Sequence, residues 1–395
     1  MAAVMKVEDL LAQLAAIDPA SLEKNPAQTM EVLKLSKQLT TTLEAPIDRA
    51  VDYIFKPFSF VALRLAVGLN LFEHICANNS PVSSAELAKL SGGEEILISR
   101  ILRVVASIGF ITQASSYEWL ANPTTHAMAL PPIAAGYRCD MLTRSAMSGA
   151  EYLAQRSWKN PSEPRDALLQ YAFNTKMNLF EFLASQPALF ADFNLFMGAT
   201  MGTQPIWLDW FDVRGRLLAG AKDDEVLLVD VGGGKGHDVQ VFNERFGKEA
   251  KGELVLQDTP GVIGDIGDNA LDGRIKKMGH DFFEPQPVTG ARIYFLHHIL
   301  HDWSDKYCLE ILAHLRDAMT PGYSKLIIHD LVLPDMDVSE MQARFDLAMM
   351  TINSGMERSA HQFTELLGKA GLKVTGVWSW PDKDGVIEAE VEIAV

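Results

Sequence analysis

The sequence predicts a doubly wound, Rossmann-like α/β domain in the C-terminal part of the chain, preceded by a mainly α-helical domain of winged-helix type. Three observations predict this arrangement. Short apolar, β-rich runs alternate with helix-length segments after residue 225, one run leads directly into a glycine-dense turn, and a helix–turn–helix–hairpin pattern precedes them. We expect an N-terminal helical and winged-helix domain at residues 1–148, a helical linker at 149–222 and the doubly wound domain at 223–395.

The composition is that of an ordinary globular protein. The chain has 395 residues, of which 48% are apolar and 22% charged, and this excludes collagen-like, disordered and disulfide-framework classes. A formal charge of −16 disfavours binding to nucleic acid phosphates and to anionic membrane surfaces. Neither a signal peptide nor an apolar run of membrane-spanning length is recognisable, so we expect a cytoplasmic location. Because Cys76, Cys139 and Cys308 are widely separated, we expect buried thiols and no zinc site.

The N-terminal part reads as a series of helices. Residues 1–45 predict two short amphipathic helices, interrupted around Pro19 and Pro26, that pack on a neighbour. An apolar helix follows over 60–77, and then a helix over 85–90, with Ser83 or Ser84 as its N-cap and Gly92–Gly93 after its end. A further helix carries an inward stripe, and a hairpin over 111–120 completes the winged-helix pattern. The residues predicted for that stripe are Ile96, Ile101, Leu102, Val105 and Ile108.

Winged-helix domains often bind DNA, so this function competes with a packing role. A helix that reads the major groove carries several basic residues. The helix here offers Arg100 and Arg103, which are offset by Glu94 and Glu95. The sequence therefore favours packing or dimerisation over a DNA-binding regulator.

The segment 149–222 is mostly helical in pattern and rich in aromatic residues and methionine. Phe193, Met197 and Met201 recur every four residues and therefore share one helix face. The default interpretation of this face is a core stripe, and it would also suit the wall of a pocket for a flat, apolar ligand.

The strongest local signal is the run LLVDVGGGKGH, a buried strand that leads into Gly232, Gly233 and Gly234. Glycines allow the backbone to approach a ligand closely, and the next helix begins with unpaired N–H groups. The acidic residue Asp230 precedes the glycines, and the spacing matches neither GxGxxG nor the P-loop pattern. The turn therefore indicates a nucleotide-like cofactor without identifying it.

Two later strand ends extend this cofactor site. Asp258 ends the run ELVLQD, 28 residues after Asp230, and a carboxylate at that edge of the sheet can accept both ribose hydroxyls. The segment GHDFF then supplies Asp281 and Phe282, which suit an adenine amino group and ring face. Together these positions predict an adenosine site.

The fourth strand end holds three histidines, His297, His298 and His301. An imidazole at the mouth of a cofactor cleft can accept a proton from a phenol at neutral pH. Asp330, after a predicted strand over 325–328, and Glu357, before a predicted helix over 361–370, can orient such an imidazole. The histidines cross from strand to loop instead of sharing a helix face, so we expect no metal.

The motifs VDVGGGKG, LQD, GHDFF, HDWSD and GMERS together resemble the small-molecule O-methyltransferases of the caffeic-acid and flavonoid type, in the fungal branch that decorates polyketides. The resemblance covers most of the chain. It implies a dimerising winged-helix domain and a class I domain that binds S-adenosylmethionine (SAM). It therefore implies a homodimer that acts on a hydroxyl of an aromatic or polyketide-type small molecule.

The resemblance also assigns roles to residues of this chain. It implies that His301 is the general base, flanked by Asp330 and Glu357, and that no metal is required. The family usually has Glu where this chain has Asp330, and His297 stands where plant members often carry a lysine. Cofactor-binding positions implied in this way are Asp230, Gly232, Gly233, Gly234, Asp258, Asp281, Phe282, His297 and Trp303. Positions implied for the acceptor pocket are Phe193, Met197, Met201, Met349 and Asn353.

One alternative function stays within the same fold. Some members of this group keep the cofactor and catalyse pericyclic or cyclising reactions without transferring the methyl group. Retention of His301, Asp330 and Glu357 favours methyl transfer, although a cyclase could inherit the same residues.

Overall fold

The computed structural model describes residues 6–22, 25–201, 206–380 and 383–392, without the side chains of 199–201 and 380. The chain divides into two compact units, Met1–Arg138 and Cys139–Val395. The predicted division into three parts stays a prediction. Within the described ranges, none of the helices combines the length and the apolar character needed to cross a membrane.

The first unit is helical with one small sheet, in which β3 lies between β1 and β2. Its strands are β1 (Val82–Ser83), β2 (Thr112–Ser115) and β3 (Glu118–Leu120). Its helices are α1 (Val7–Ala15), α2 (Pro19–Leu22), α3 (Pro26–Leu43), α4 (Pro46–Gly68), α5 (Leu71–Cys76), α6 (Ser84–Ser91), α7 (Glu95–Ser107), α8 (Pro123–Met128) and α9 (Pro131–Arg138).

The winged-helix pattern is confirmed. Ser83 caps α6 by accepting a hydrogen bond from the Glu86 N–H at 3.1 Å, and Gly92 ends the helix with a φ of 75°. The hairpin β2–β3 packs its central Trp119 into the core, where the indole N–H donates to the Ser84 hydroxyl at 2.9 Å. This bond satisfies the one polar group of a fully buried side chain.

Three predictions for this unit are wrong in detail. The helix predicted over 60–77 is two helices, because Asn70 adopts a left-handed φ of 52° between α4 and α5. The helices are interrupted at Pro19 and Pro26 as predicted, but the segment holds three helices instead of two, because each proline begins a new helix, where it needs no N–H partner. On α7, Ile98 takes an inward position while Ile96 is 61% exposed, and Ile108, which follows the helix, is 37% exposed.

The second unit contains the sheet of the doubly wound domain. Its strands are β4 (Val226–Val231), β5 (Glu253–Asp258), β6 (Ile275–Gly279), β7 (Ile293–His297), β8 (Lys325–Leu333), β9 (Arg358–Ser359), β10 (Leu372–Trp380) and β11 (Lys383–Val391). Its helices are α10 (Met141–Met147), α11 (Gly149–Gln155), α12 (Leu168–Phe173), α13 (Leu179–Ala184), α14 (Pro187–Met201), α15 (His237–Phe246), α16 (Pro260–Gly264), α17 (Asp305–Ala318), α18 (Glu340–Asn353) and α19 (Ala360–Lys369).

The strand order β10-β11-β8-β7-β4-β5-β6 confirms the predicted fold class. The five strands from β8 to β6 are parallel, and the β10–β11 hairpin closes the sheet antiparallel to β8. Helices cover both faces, and alternate residues of β5 show this: Val255 packs with α17 and α19, while Leu254 and Leu256 pack with α15. All five parallel strands present their C-terminal ends at one edge, where ligands bind in such sheets.

The strand predicted over 325–328 is longer than expected. β8 continues to Leu333 because Asp330 and Leu331 pair with Gly385 and Asp384 of β11, and Val332 pairs with Arg358 of β9. Asp330 therefore lies within the sheet, where it pairs with Gly385 of β11.

Candidate active site

The glycine turn after β4 requires glycine at each position. Gly232 and Gly234 have φ values of 71° and 58°, which disfavour any side chain. A Cβ on Gly233 would lie 2.4 Å from the carboxylate of Asp230, so this backbone is in close contact with the acid before it. The Gly234 N–H donates to the Asp258 carboxylate at 2.9 Å, which ties the ends of β4 and β5 together.

Asp230 lies under this turn, 1% exposed, and neither carboxylate oxygen has a hydrogen-bond partner among the described residues. Burial, and secondly the neighbouring carboxylate of Asp238, raise the pKa of Asp230 well above its ordinary range. A buried acid without a partner is costly unless a donor or a cation comes to it. The backbone cradle and this acid therefore fit a cationic ligand that carries donor groups.

The remaining predicted cofactor positions lie at neighbouring strand ends. Asp258 ends β5 opposite Gly279 of β6, and the Thr259 N–H donates to it at 2.7 Å. Asp281 is exposed and accepts from the Phe283 N–H at 3.0 Å. The sheet order thus places carboxylates after both β5 and β6 at the same edge.

Aromatic side chains surround the next part of that edge. Trp303 is 5% exposed and meets Phe282 and Phe283 edge-on, with ring centroids 6.1 and 4.8 Å away. Phe282 also packs near Gly232, where its ring carbon would lie 3.5 Å from an added Cβ. The predicted Phe282 and Trp303 positions therefore form one apolar wall beside the glycine turn.

The centre of the site is His301, on a short 3₁₀ turn over Leu300–Asp302 that follows β7. His301 is 7% exposed, and its Nδ1 lies 2.9 Å from Oε1 of Glu357. Its Nε2 lies 3.7 Å from the Asp302 carboxylate, beyond hydrogen-bonding distance. One ring nitrogen is thus held by Glu357 while the other is available to a ligand.

Burial sets the protonation of this group. Burial lowers the pKa of His301, and raises the pKa of Glu357 to about 8 and that of Asp302 to about 6. At 2.9 Å the contact between His301 Nδ1 and Glu357 Oε1 is a hydrogen bond, which places one proton between these two atoms. When this proton is on Nδ1, Nε2 carries the lone pair that a general base needs.

Asp330 takes a different position from Glu357. It is fully buried in β8, neither of its carboxylate oxygens has a hydrogen-bond partner in the described ranges, and burial raises its pKa to about 6. The predicted pair of flanking carboxylates is therefore unequal, because only Glu357 contacts the imidazole directly.

The segment Gly355–Arg358 fixes the histidine turn from the other side. The Met356 N–H donates to the His301 carbonyl at 2.9 Å, and a Cβ on Gly355 would lie 2.1 Å from the same oxygen. Arg358 is 1% exposed and donates to the carbonyls of Leu300 and Trp303, each at 2.9 Å. Its guanidinium also pairs with Asp305 at 2.8 Å, so one buried cation ties this turn to α17.

His297, which the resemblance places in the cofactor site, contacts a carboxylate of α15. Its Nδ1 lies 2.8 Å from Asp238 of α15, and its ring lies 4.2 Å from that of His329. Donor atoms of His297, His298 and Asp384 fall within 4.8 Å of one another. Each of these two histidines already has its own carboxylate, so we interpret the cluster as an ion-pair network.

The predicted acceptor positions lie on α14 and α18. Phe193 packs against a cluster that includes Met349, which is 8% exposed. Asn353 is fully buried, and its amide N–H donates to the Asp302 carbonyl at 3.0 Å while its Oδ1 has no partner in the described part. Met197 lies on the same helix as Phe193, and the side chain of Met201 lies outside the described residues.

Two features of the site were not predicted from the sequence. Arg358 belongs to the GMERS motif, and no local pattern indicates that its side chain spans the histidine turn. Asp384 lies 3.1 Å from the His298 ring nitrogen, and no sequence motif points to it. The sequence signal that could have indicated Asp384 is an acidic residue at the start of the last strand, since β11 lies beside β8.

Comparison with known proteins identifies the family. An O-methyltransferase domain model matches residues 221–373, and an O-methyltransferase dimerisation domain model matches residues 51–125. O-methyltransferase penC of Penicillium thymicola is 41% identical over 386 residues, covering 96% of each chain. A solved structure of LepI with SAM is 29% identical with a TM-score of 0.83, covering 98% of this chain and 99% of the other. A structure described as a pericyclic reaction enzyme has the same TM-score and identity, covering 98% of this chain and 100% of the other.

The unpartnered acid under the glycine turn and the carboxylates at the next two strand ends fit SAM, which carries a sulfonium, an amino group and a ribose. Both family models and the coverage of the relatives agree with this chemistry. The chain therefore belongs to the SAM-dependent O-methyltransferase family.

Proposed function

We propose that this enzyme methylates a hydroxyl group of an aromatic or polyketide-type small molecule, with His301 as the general base. The single observation that carries the proposal is the buried contact of 2.9 Å between His301 Nδ1 and Glu357. This contact orients the ring and leaves Nε2 as a proton acceptor.

The residues at the strand ends would hold the cofactor. Asp230 and the turn Gly232–Gly234 suit its methionine part, Asp258 its ribose, and Asp281 with Phe282 its adenine. His297 and Trp303 would stand at the border of that site. When bound, SAM supplies an electrophilic methyl group on a sulfonium.

His301 would take the proton from the acceptor hydroxyl onto Nε2. Glu357 then stabilises the imidazolium across the Nδ1 contact, and Asp330 adds negative charge from within β8. The buried setting strengthens both interactions because little water screens them. Asn353 and the apolar side chains of Phe193, Met197 and Met349 would line the acceptor pocket, to which Met201 belongs by its place on α14.

A pericyclic or cyclising reaction is the second candidate. The observation that favours it is the likeness over nearly the whole chain to a structure described as a pericyclic reaction enzyme. The two functions differ in one product, since only methyl transfer releases S-adenosylhomocysteine.

The test uses the purified full-length enzyme with SAM and a panel of hydroxylated aromatic and polyketide compounds. We expect S-adenosylhomocysteine in equal amount to methylated product, and a loss of about 10²- to 10⁴-fold in kcat for His301→Ala. SAM affinity, measured by calorimetry, should stay within about twofold for that variant and fall strongly for Asp258→Ala. The matched control is His361→Ala, whose side chain is 70% exposed on α19.

Unchanged turnover in His301→Ala would exclude this residue as the base. Product formed without S-adenosylhomocysteine would instead support the cyclising function.

We also propose that the enzyme is a homodimer joined through α4. Exposed apolar side chains recur on this helix at alternating spacings of four and three residues, as in helices that pair. They are 45–70% exposed, a large apolar surface for a monomer: Ile47, Val51, Ile54, Phe58, Val61 and Leu65. Part of this strip falls within the segment that matches the dimerisation domain.

Ile54→Glu should shift the protein from dimer to monomer in size-exclusion chromatography with light scattering. Lys89→Glu, an exposed change on α6, is the control and should leave the dimer intact. A wild-type protein that is monomeric at micromolar concentration would contradict the proposal.

A further inference from the structure

A second histidine lies directly against His301. The rings of His298 and His301 are nearly parallel, with centroids 4.9 Å apart and planes inclined by 20°. On its other side, His298 forms an ion pair of 3.1 Å with Asp384 of β11. The side chains of His298 and Asp384 are 18% and 10% exposed, so water screens this pair only weakly.

The backbone of His298 is fixed in an unusual conformation. Its φ of 52° lies in the left-handed region, which is unfavourable for a residue with a Cβ. Its N–H donates to the carbonyl of His329 at 3.1 Å, and this bond joins the end of β7 to β8. The turn therefore holds the His298 side chain between Asp384 and His301.

Three acidic side chains surround His301 and act against its neutral form. Glu357 contacts one ring nitrogen, Asp302 lies 3.7 Å from the other, and Asp330 is buried nearby in β8. Carboxylates near an imidazole favour its protonated form. Burial of His301 opposes this effect, and a cation beside the ring opposes it further.

We propose that the His298–Asp384 ion pair is a positioning element that keeps a positive charge against the ring of His301 and so holds His301 in its neutral, proton-accepting form. This inference rests on the proposed role of His301 as the base. His298 acts through His301 and need not touch the substrate or SAM.

The titration behaviour of the surrounding groups supports this inference. Burial opposes the charged form of His298, but the contact with Asp384 outweighs burial and raises the pKa of His298 to about 9. Burial lowers the pKa of His301, the carboxylates of Asp302, Asp330 and Asp384 act to raise it, and the charge on the adjacent His298 acts to lower it. His298 is therefore charged across neutral pH while His301 stays neutral.

The other groups that face His298 do not remove this charge. The His297 ring lies 4.5 Å from the His298 ring, and its Nδ1 lies 2.8 Å from the Asp238 carboxylate. Burial, and secondly His297, lower the pKa of His329 to about 3, so His329 stays neutral. Asp330 and Glu357 lie close enough to favour the His298 cation.

The experiment follows the imidazole signals of the full-length protein by NMR with labelled histidine, together with the pH profile of kcat/KM. His298→Gln removes the charge, His298→Lys keeps a cation at the same position, and His361→Gln on exposed α19 is the matched control. We expect His298→Gln to move the His301 titration and the acid limb of the profile upward by about one pH unit. His298→Lys and the control should leave both near the wild-type position.

A second variant covers the case in which His298→Gln does not fold. His298→Asn removes the charge with a shorter amide, which tolerates the left-handed φ of 52°, and it should move the His301 titration in the same direction. Unchanged His301 titration in both variants, or a downward move, would overturn the inference. A change in the His298 signals on chelator treatment that zinc reverses would also overturn it, since a metal would then occupy the cluster.

The NMR titration uses no substrate, so it separates this inference from the proposed function. If His301→Ala keeps full activity, the role of the base fails while the NMR result still decides whether His298 controls the protonation of His301.

Discussion

Gly355 is the position where one added methyl group tests the geometry of the histidine turn. A Cβ on this residue would lie 2.1 Å from the His301 carbonyl oxygen and 2.8 Å from the Asp302 carbonyl carbon. Both distances are shorter than any normal contact, and the nearest atoms are backbone, so the turn must move by about 1 Å in Gly355→Ala. The hydrogen bond of 2.9 Å from the Met356 N–H to His301 would weaken at the same time.

A displacement of about 1 Å at a catalytic group costs roughly 10²-fold in rate, and overpacking costs about 1–3 kcal/mol of stability. We therefore expect Gly355→Ala to lower kcat/KM about 100-fold, with a smaller effect on SAM affinity because Gly232–Gly234 and Asp258 lie at the ends of β4 and β5 and not on the turn that moves. Steady-state kinetics, calorimetry with SAM and chemical denaturation measure the three quantities.

The matched control is Gly368→Ala on α19, where an added Cβ meets nothing within 4 Å. Alanine is the better helix former, so this variant should keep full activity and gain up to about 1 kcal/mol. Wild-type kcat/KM and stability in Gly355→Ala would refute the packing argument. Reduced stability with full activity would show that the position of His301 tolerates the shift.

Three further variants test the site. Arg358→Met leaves two buried carbonyls without their donor and should lower the free energy of unfolding by about 3–5 kcal/mol in urea; a loss below about 1 kcal/mol would contradict this. Because the folded pKa of His298 is raised from 6.5 to about 9, the stability it contributes is complete below pH 6.5 and is lost as pH rises through 9. Asp384→Asn should therefore unfold more easily than wild type by about 3 kcal/mol at pH 6 and by much less above pH 9, and a deficit that grows with pH would refute the pairing. Gly233→Ala places a Cβ 2.4 Å from the Asp230 carboxylate and should weaken SAM binding at least tenfold by calorimetry, whereas Gly261→Ala meets nothing within 4 Å and should not.

Local patterns were enough to predict most of the fold. Apolar runs of strand length, separated by helix-length segments, predicted the parallel sheet, and the capping serine and the terminal glycine of α6 predicted its limits. These features depend on residues a few positions apart, which the sequence shows directly. Ile96 and Ile108 were expected to face inward but are exposed. Apolar spacing alone does not show which side of a helix the neighbouring elements cover.

The candidate site likewise combines residues that the local sequence indicates with contacts that only tertiary packing sets. The sequence by itself determined which groups end the strands: the glycine turn, Asp258 and His301. Only the tertiary structure decided that Glu357, 56 residues after His301, contacts its ring while Asp330 does not, and that Asp384 lies against His298. The reason is that strand order, and the continuation of β8 to Leu333, bring distant residues together. Such contacts are set by packing across the sheet, and no periodicity along the chain encodes them.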